Sequence, residues 1–320
     1  MRHLHLPLAG LLCVFGSWGC TTGAPASEGE GESAEGEGEG EGEGEGEGEG
    51  EGEGEGEAGE GEGEGEGEAV STCTSSADAV DCPYTTVTLS AGFIDRDVHM
   101  AVPAGDAPST GWPTVVYFQG SLASAELAFT GRTDDLAGQF ELAETVQALL
   151  DAGFAVVAPE VLGEGSTYWQ TNIAPASTFW SGTYDDSLML ELLAQFDDDD
   201  GDFGHVDTNK LFAMGISSGG FMTSRMAVSY AGRFKALAIH SGGYAWCSTA
   251  CVLPGMPEDH PPTLFVHGAD DVIVLPAIMQ MYADALDDDG VEVDVQLVEG
   301  GAHAWLAPAV TSVPAWFLAH

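Results

Sequence analysis

Between Tyr84 and Leu318 the apolar residues of this chain follow two rhythms. Tyr84 to Leu89 and Val98 to Val102 alternate apolar and polar positions, as strands with one wetted face do. Thr114-Val115-Val116-Tyr117-Phe118 and Phe154 to Ala158 are instead unbroken apolar runs, closed by Gly120 and Pro159. Such runs fit strands buried on both faces. Leu211 to Met214, Ala236 to Ile239, Thr263 to Val266 and Val291 to Val298 predict further strands. Helical spacing fills the intervals. Leu136, Phe140, Ala143, Val146, Leu149 and Leu150 share one face of a helix predicted over Leu136 to Leu150, with Asp134 and Asp135 near its start and Gly153 past its end. Helices are also predicted over Asp185 to Phe196, Gly219 to Tyr230, Pro276 to Leu286 and Ala309 to Leu318. This alternation predicts an α/β fold, a mostly parallel sheet flanked by helices on both faces. Ligands in such folds sit outside the carboxyl ends of the strands, so polar residues placed there carry the interest.

Ahead of that pattern lie two segments with no core-forming periodicity. Residues 1–19 read as an export signal: Arg2, His3 and His5, then the mostly apolar Leu4 to Phe15, then Gly16, Ser17 and Gly19. Ser17-Trp18-Gly19-Cys20 resembles a bacterial lipoprotein processing site, with Ser17 where such sites usually carry Leu. The expectation is export, either as a cell-surface lipoprotein of the outer membrane or periplasm, attached to the membrane through acylated Cys20, or as a secreted protein. Residues 20–69 are expected to be a disordered linker. Within it Glu28 to Glu68 holds 20 Glu, 18 Gly and only Ser33, Ala34 and Ala58 besides. With no apolar side chains and charge at every second position, it has nothing to offset its conformational entropy. A tether and a spacer without specific role both fit it. Residues 70–320 form the expected catalytic domain.

The whole chain carries 53 acidic and 7 basic residues, and Ala69 to His320 alone carries 33 and 6, a net charge of −27 over 252 residues. That balance excludes a nucleic-acid partner, which needs a basic face. Cys73, Cys82, Cys247 and Cys251 permit three pairings, and the short loops favour Cys73–Cys82 and Cys247–Cys251. Neither spacing suits a zinc knuckle, and export favours disulfides. The acidic run Asp197 to Asp202 fails the calcium-loop pattern, because Phe196 falls on the first ligand position when Gly201 is the turn glycine. No metal and no cofactor is expected, and the chain is expected to be a monomer.

Three polar residues follow three predicted strands. Gly215-Ile216-Ser217-Ser218-Gly219 joins the strand ending at Met214 to the next helix. A sharp strand-to-helix turn strains the Ser217 backbone, exposes its hydroxyl and sets the Ser218 N–H at a helix N-terminus. A serine hydroxyl needs a base. Of nine His, His99, His205 and His260 are expected at the surface, and His240 and His267 as satisfied core or supporting groups. His303 follows the last strand in Glu299-Gly300-Gly301-Ala302-His303-Ala304-Trp305, where two glycines let the loop turn back and Trp305 can wall the site. A carboxylate must fix the imidazole, and Asp270 and Asp271 follow the strand Thr263 to Val266. The order Ser, Asp, His is that of α/β-hydrolases.

From about residue 84 onward the chain resembles an α/β-hydrolase, and within that group the exported esterases related to polyhydroxybutyrate depolymerases and feruloyl esterases. Ala213 to Met222, His267 to Val274 and Gly300 to Trp305 carry the likeness. The resemblance implies Asp271 as the triad acid, with Asp270 second, and hydrolysis of a carboxylic ester through an acyl-enzyme. It also implies backbone oxyanion donors at Ser218 and Ser121. The chain departs from the family at Phe118-Gln119-Gly120-Ser121, where His-Gly is usual.

The expected substrate is a soluble or polymeric ester, such as a polyhydroxyalkanoate or a feruloyl or acetyl ester. Trp169, Tyr244, Trp246 and Trp305 are expected either to form an aromatic substrate groove or to fill a core beneath the active edge. Two other readings stay open: a serine peptidase of the prolyl-oligopeptidase type, and an inactive surface-tethered binding protein.

Overall fold

The computed structural model describes residues 71–162, 168–198, 201–247 and 252–320. The export signal, Cys20 and the Glu-Gly tract lie outside these residues, as does Cys251. Among the described residues eleven strands and five α-helices follow in chain order. They are β1 (Thr74–Ser75), β2 (Ala79–Asp81), β3 (Thr85–Ala91), β4 (Ile94–Ala101), β5 (Trp112–Phe118), β6 (Thr130–Arg132), α1 (Gln139–Asp151), β7 (Ala155–Pro159), α2 (Tyr184–Phe196) and β8 (Val206–Ile216). Then come α3 (Ser218–Ser229), β9 (Ala236–His240), β10 (Thr263–Gly268), α4 (Pro276–Asp288), β11 (Val293–Val298) and α5 (Ala309–Ala319).

Eight strands form one sheet in the order β11-β10-β9-β8-β5-β7-β4-β3. From β11 through β7 all neighbours are parallel, whereas β4 runs antiparallel to both β7 and β3. The mostly parallel sheet expected from the alternation is therefore present, with the two alternating strands at its antiparallel edge.

The unbroken apolar runs are explained by burial on both faces. Val115 and Tyr117 of β5 pack with Leu142, Val146 and Leu149 of α1 and with Val313 and Phe317 of α5. Their neighbours Val116 and Phe118 pack on the other side with Leu188 and Leu192 of α2 and Met222 and Met226 of α3. Phe265 of β10 joins Met279, Tyr282 and Leu286 of α4 in a third cluster. Each such side chain contributes roughly 1.5–3 kcal/mol on leaving water.

From β5 the chain passes through α1 to β7 on one side, then through α2 to β8 on the other. The connections diverge at this point, which opens a crevice at the carboxyl ends of β5 and β8.

Two boundaries and one small sheet are the main departures from expectation. Helix α1 starts at Gln139 rather than Leu136, because Ala137 and Gly138 are left-handed at φ 58° and 76°. Strand β8 begins five residues early, where polar residues from Asp207 extend it past a register shift opposite Trp112 and Thr114. The small sheet β1-β2-β6 was not anticipated, since strands of two or three residues carry no period. A disulfide between Cys73 and Cys82 brackets β1 and β2, as the short loop suggested. The companion pairing Cys247–Cys251 involves a residue outside those described.

Candidate active site

Ser217 occupies the one-residue turn between β8 and α3 with φ 57° and ψ −122°, a conformation costly for a side chain bearing a Cβ. The turn is anchored at both ends: the Ser217 amide donates to the His240 carbonyl at 3.0 Å, and its own carbonyl accepts from Phe221 at 3.1 Å. Glycine is required around it. A Cβ on Gly215 would stand 2.5 Å from the Gly219 carbonyl oxygen, and one on Gly219 would run into the Phe118 carbonyl. The missing side chains let α3 start directly against the end of β5. Ser218 is its first residue, and amides of a first helical turn have no partner inside the helix.

His303 lies in the loop after β11. Its Nδ1 stands 2.7 Å from Oδ2 of Asp271, in hydrogen-bonding contact. Asp271 is buried, and its other oxygen accepts from the amides of Ile273 and Val274, each at 2.9 Å. Burial by itself raises this carboxyl, but the bonds from His303 and the two amides outweigh it and hold Asp271 below the ordinary carboxylate value. Asp270 is exposed, so the carboxylate that meets the imidazole is Asp271. The loop is fitted to β10 by glycine: a Cβ on Gly268 would strike the Gly301 carbonyl, while Gly300 turns at φ 72°.

Ser217 and His303 line one cleft of about 140 Å³, together with Gly120 and Ser121 from the loop after β5. Its remaining wall is mostly apolar, with Leu127, Leu136, Leu142, Ile216 and Trp305. The structure thus brings Ser217, His303, Ser121 and the Ser218 turn to one edge, with Asp271 directly behind His303.

The aromatic residues divide. Trp305 closes the cleft floor, with its ring stacked on His240 at 3.6 Å and its indole donating to Thr145 at 2.9 Å. Trp169 and Tyr244 are enclosed, which corrects the groove in favour of the core. The Trp169 indole donates to the Gln119 carbonyl at 3.0 Å, while Tyr244 packs edge-on against Trp246 and Tyr282. Trp246 is half-buried under the Arg225 guanidinium, 5.1 Å from its ring centre.

Two of the histidines also need correction. His99 and His260 are buried rather than superficial, and His260 bonds the Tyr282 hydroxyl at 2.6 Å. His267 has its Nε2 2.8 Å from the Val274 carbonyl, which requires the proton on that nitrogen. Neither ring nitrogen of buried His240 has a hydrogen-bond partner among the described residues.

Glu160 directly follows β7, so the strand-end rule applies to it too, although no motif in the sequence marks it. Its carboxylate reaches the Gln119–Ala125 loop beside the cleft. Gln119 is itself buried, with its amide nitrogen donating to the Ala123 carbonyl at 2.8 Å and to Glu160 at 3.1 Å.

Comparison with known proteins bears on the family and the fold. The model of the dienelactone hydrolase family matches residues 134–314. A poly(3-hydroxyoctanoate) depolymerase of Pseudomonas fluorescens is 39% identical over 244 residues, spanning 75% of this chain and 86% of that protein. Among solved structures, a dienelactone hydrolase-like promiscuous phosphotriesterase from metagenomic libraries aligns with a TM-score of 0.52 at 19% identity, covering 76% of this chain and 98% of the other. A dipeptidyl peptidase 4 from Porphyromonas gingivalis aligns with a TM-score of 0.54 at 15% identity, covering 74% of this chain and 35% of its own length. These two likenesses concern the fold, and the chain spans about a third of the peptidase.

Proposed function

The chain belongs to the dienelactone hydrolase family of α/β-hydrolases and is a hydrolase of esters, and from that premise we propose that it acts as an exported serine esterase through an acyl-enzyme. The observation that carries the proposal is the 2.7 Å contact of His303 with buried Asp271, with His303 sharing a cleft with the strained Ser217. The Ser217 hydroxyl attacks the ester carbonyl while Nε2 of His303 takes its proton. Asp271 holds Nδ1 of His303 and stabilises the imidazolium without itself taking a proton. The oxyanion is met by the amides of Ser218 and Ser121. Collapse expels the alcohol, which receives its proton from His303. Water, deprotonated by the same imidazole, then releases the acid and restores Ser217.

For the substrate we propose a polyester of a 3-hydroxy acid bearing an alkyl side chain. Two things support it: the identity with the P. fluorescens depolymerase and the apolar wall of Leu127, Leu136, Leu142 and Ile216. Export fits a substrate too large to enter a cell, and Cys20 together with the acidic tract would tether the enzyme at the surface.

Hydrolysis of p-nitrophenyl octanoate tests the chemistry. Ser217→Ala is expected to abolish turnover and labelling by a fluorophosphonate, and Asp271→Asn to lower kcat by about 10⁴-fold. Activity surviving in Ser217→Ala would remove this site from the reaction. Octanoate preferred over acetate, and release of soluble acid from a poly(3-hydroxyoctanoate) suspension, are the expected specificity results. Preference for feruloyl or acetyl sugars would overturn the substrate assignment alone.

A further inference from the structure

Glu160 directly follows β7, and apart from His99 of β4 every partner of its carboxylate belongs to the loop after β5. Oε1 accepts from the Ser124 hydroxyl at 2.5 Å and the Ala125 amide at 2.8 Å, and Oε2 accepts from the Gln119 side chain at 3.1 Å. His99 of β4 stands 3.5 Å from Oε1. Burial opposes ionisation here, but the bonds from His99, Ser124, Gln119 and Ala125 dominate and hold the carboxyl down at about 2. An anion is therefore fixed behind the loop throughout the working pH range.

The residue is itself immobilised. Its carbonyl accepts two bonds from Arg96, at 3.0 and 2.6 Å, and the same guanidinium bonds Asp185 of α2 at 2.6 Å. The start of the loop is held as well, since the Gln119 carbonyl accepts from the Trp169 indole. Between Gln119 and Ser124 lie Gly120, Ser121 and Ala123, which line the cleft together with Ser217.

We infer that Glu160 is a positioning residue: through Gln119, Ser124 and Ala125 it sets the loop that aims the Ser121 amide at the developing oxyanion. The inference rests on the proposed serine-esterase reading and assigns that reaction a support outside the triad. Gln119, which departs from the family's usual His, thereby gains a role as the strut between this carboxylate and the Ala123 carbonyl.

Steady-state kinetics on p-nitrophenyl butyrate provide the test, with near-ultraviolet circular dichroism used to confirm folding. Glu160→Gln places an amide opposite the Gln119 amide, so kcat is expected to fall about 10- to 100-fold, below the full loss of an oxyanion donor, while KM moves less than about twofold. Gln119→Leu is expected to act in the same direction. The double variant should be no worse than the more damaged single one, because both break one connection. Should Glu160→Gln fail to fold, Ser124→Ala removes one donor and keeps the charge, with a smaller fall in kcat at constant KM.

A folded Glu160→Gln or Ser124→Ala enzyme with wild-type kcat would overturn the inference. So would a loss confined to KM, or additive effects in the double variant. Ser217→Ala run alongside separates the two levels. If it stays active, the serine-esterase reading fails; if it is dead while the Glu160 variants are unimpaired, only the positioning role fails.

Discussion

Three buried histidines and one glutamate give this fold a directional response to acid. Burial, reinforced by neighbouring His267, holds His240 at about 3, and burial holds His260 at about 4 despite its bond to the Pro261 carbonyl. His267 is lowered as well, again chiefly by burial. Each folded value lies below that of the unfolded chain, so between the two the unfolded state binds more protons. The stability these groups contribute is present above about 6.5 and is lost as the pH falls toward 4 and then 3. Glu160 extends the loss, since its stabilisation is present above 4.5 and disappears on the way to about 2. Melting temperature is therefore expected to fall steadily on acidification from neutrality. His240→Phe, which keeps a flat ring against Trp305 and removes two unpartnered nitrogens, should flatten the upper part of that curve. A wild-type melting temperature constant from pH 7 to 4 would refute this account.

At the scale of elements, the pattern of apolar positions conveyed what burial dictates and missed what close contact dictates. The strands with unbroken apolar runs were legible because both their faces are covered. Ser217, His303 and the Asp270-Asp271 pair were legible because each follows a strand. That Asp271 rather than Asp270 meets the imidazole is settled by a local turn in which Asp271 accepts two amides, a geometry with no signature in composition. The role of Glu160 depends on which loop lies beside β7, hence on strand order. The start of α1 was misplaced for a related reason. Leu136 continues the helical spacing, but the chain enters the helix through left-handed Gly138, whose missing Cβ makes room for the Trp305 backbone. Leu136 is left at the cleft and not in the core.

A contrast between two glycines tests that contact. Gly92 and Gly138 have similar φ values, 70° and 76°, but a Cβ on Gly92 meets nothing within 4 Å, whereas one on Gly138 meets the Trp305 carbonyl. Gly92→Ala should cost only the backbone term, about 1–2 kcal/mol, with kcat unchanged. Gly138→Ala should cost more and also depress kcat, because the displaced segment carries His303. Equal stability and activity in the two variants would show that the close approach does not position the loop.

The molecule as a whole is governed by its charge. Of the six basic residues in Ala69 to His320, Arg96, Arg132 and Arg233 already face Asp185, Asp134 and Asp197, and Arg225 is enclosed between Trp180 and Trp246. Little positive charge remains to offset a net −27, and the excess repels itself more in the compact state than in the expanded one. The screening length shrinks from about 30 Å at 0.01 M salt to about 8 Å at 0.15 M, so much of this repulsion should vanish over that interval. Melting temperature at pH 7.5 is therefore expected to rise by several degrees between these concentrations and to level off beyond. Sodium chloride and sodium perchlorate should act alike below 0.15 M if screening is the cause, because specific-ion effects on apolar burial emerge only at higher concentration. A flat profile would mean that the acidic groups lie far enough apart for the dielectric of water alone to suppress their repulsion. A rise that begins only above 0.5 M would assign the effect to burial and not to charge. The same field bears on substrate choice: an uncharged polyester can approach this surface at any salt concentration, whereas a polyanion could do so only when the repulsion is screened.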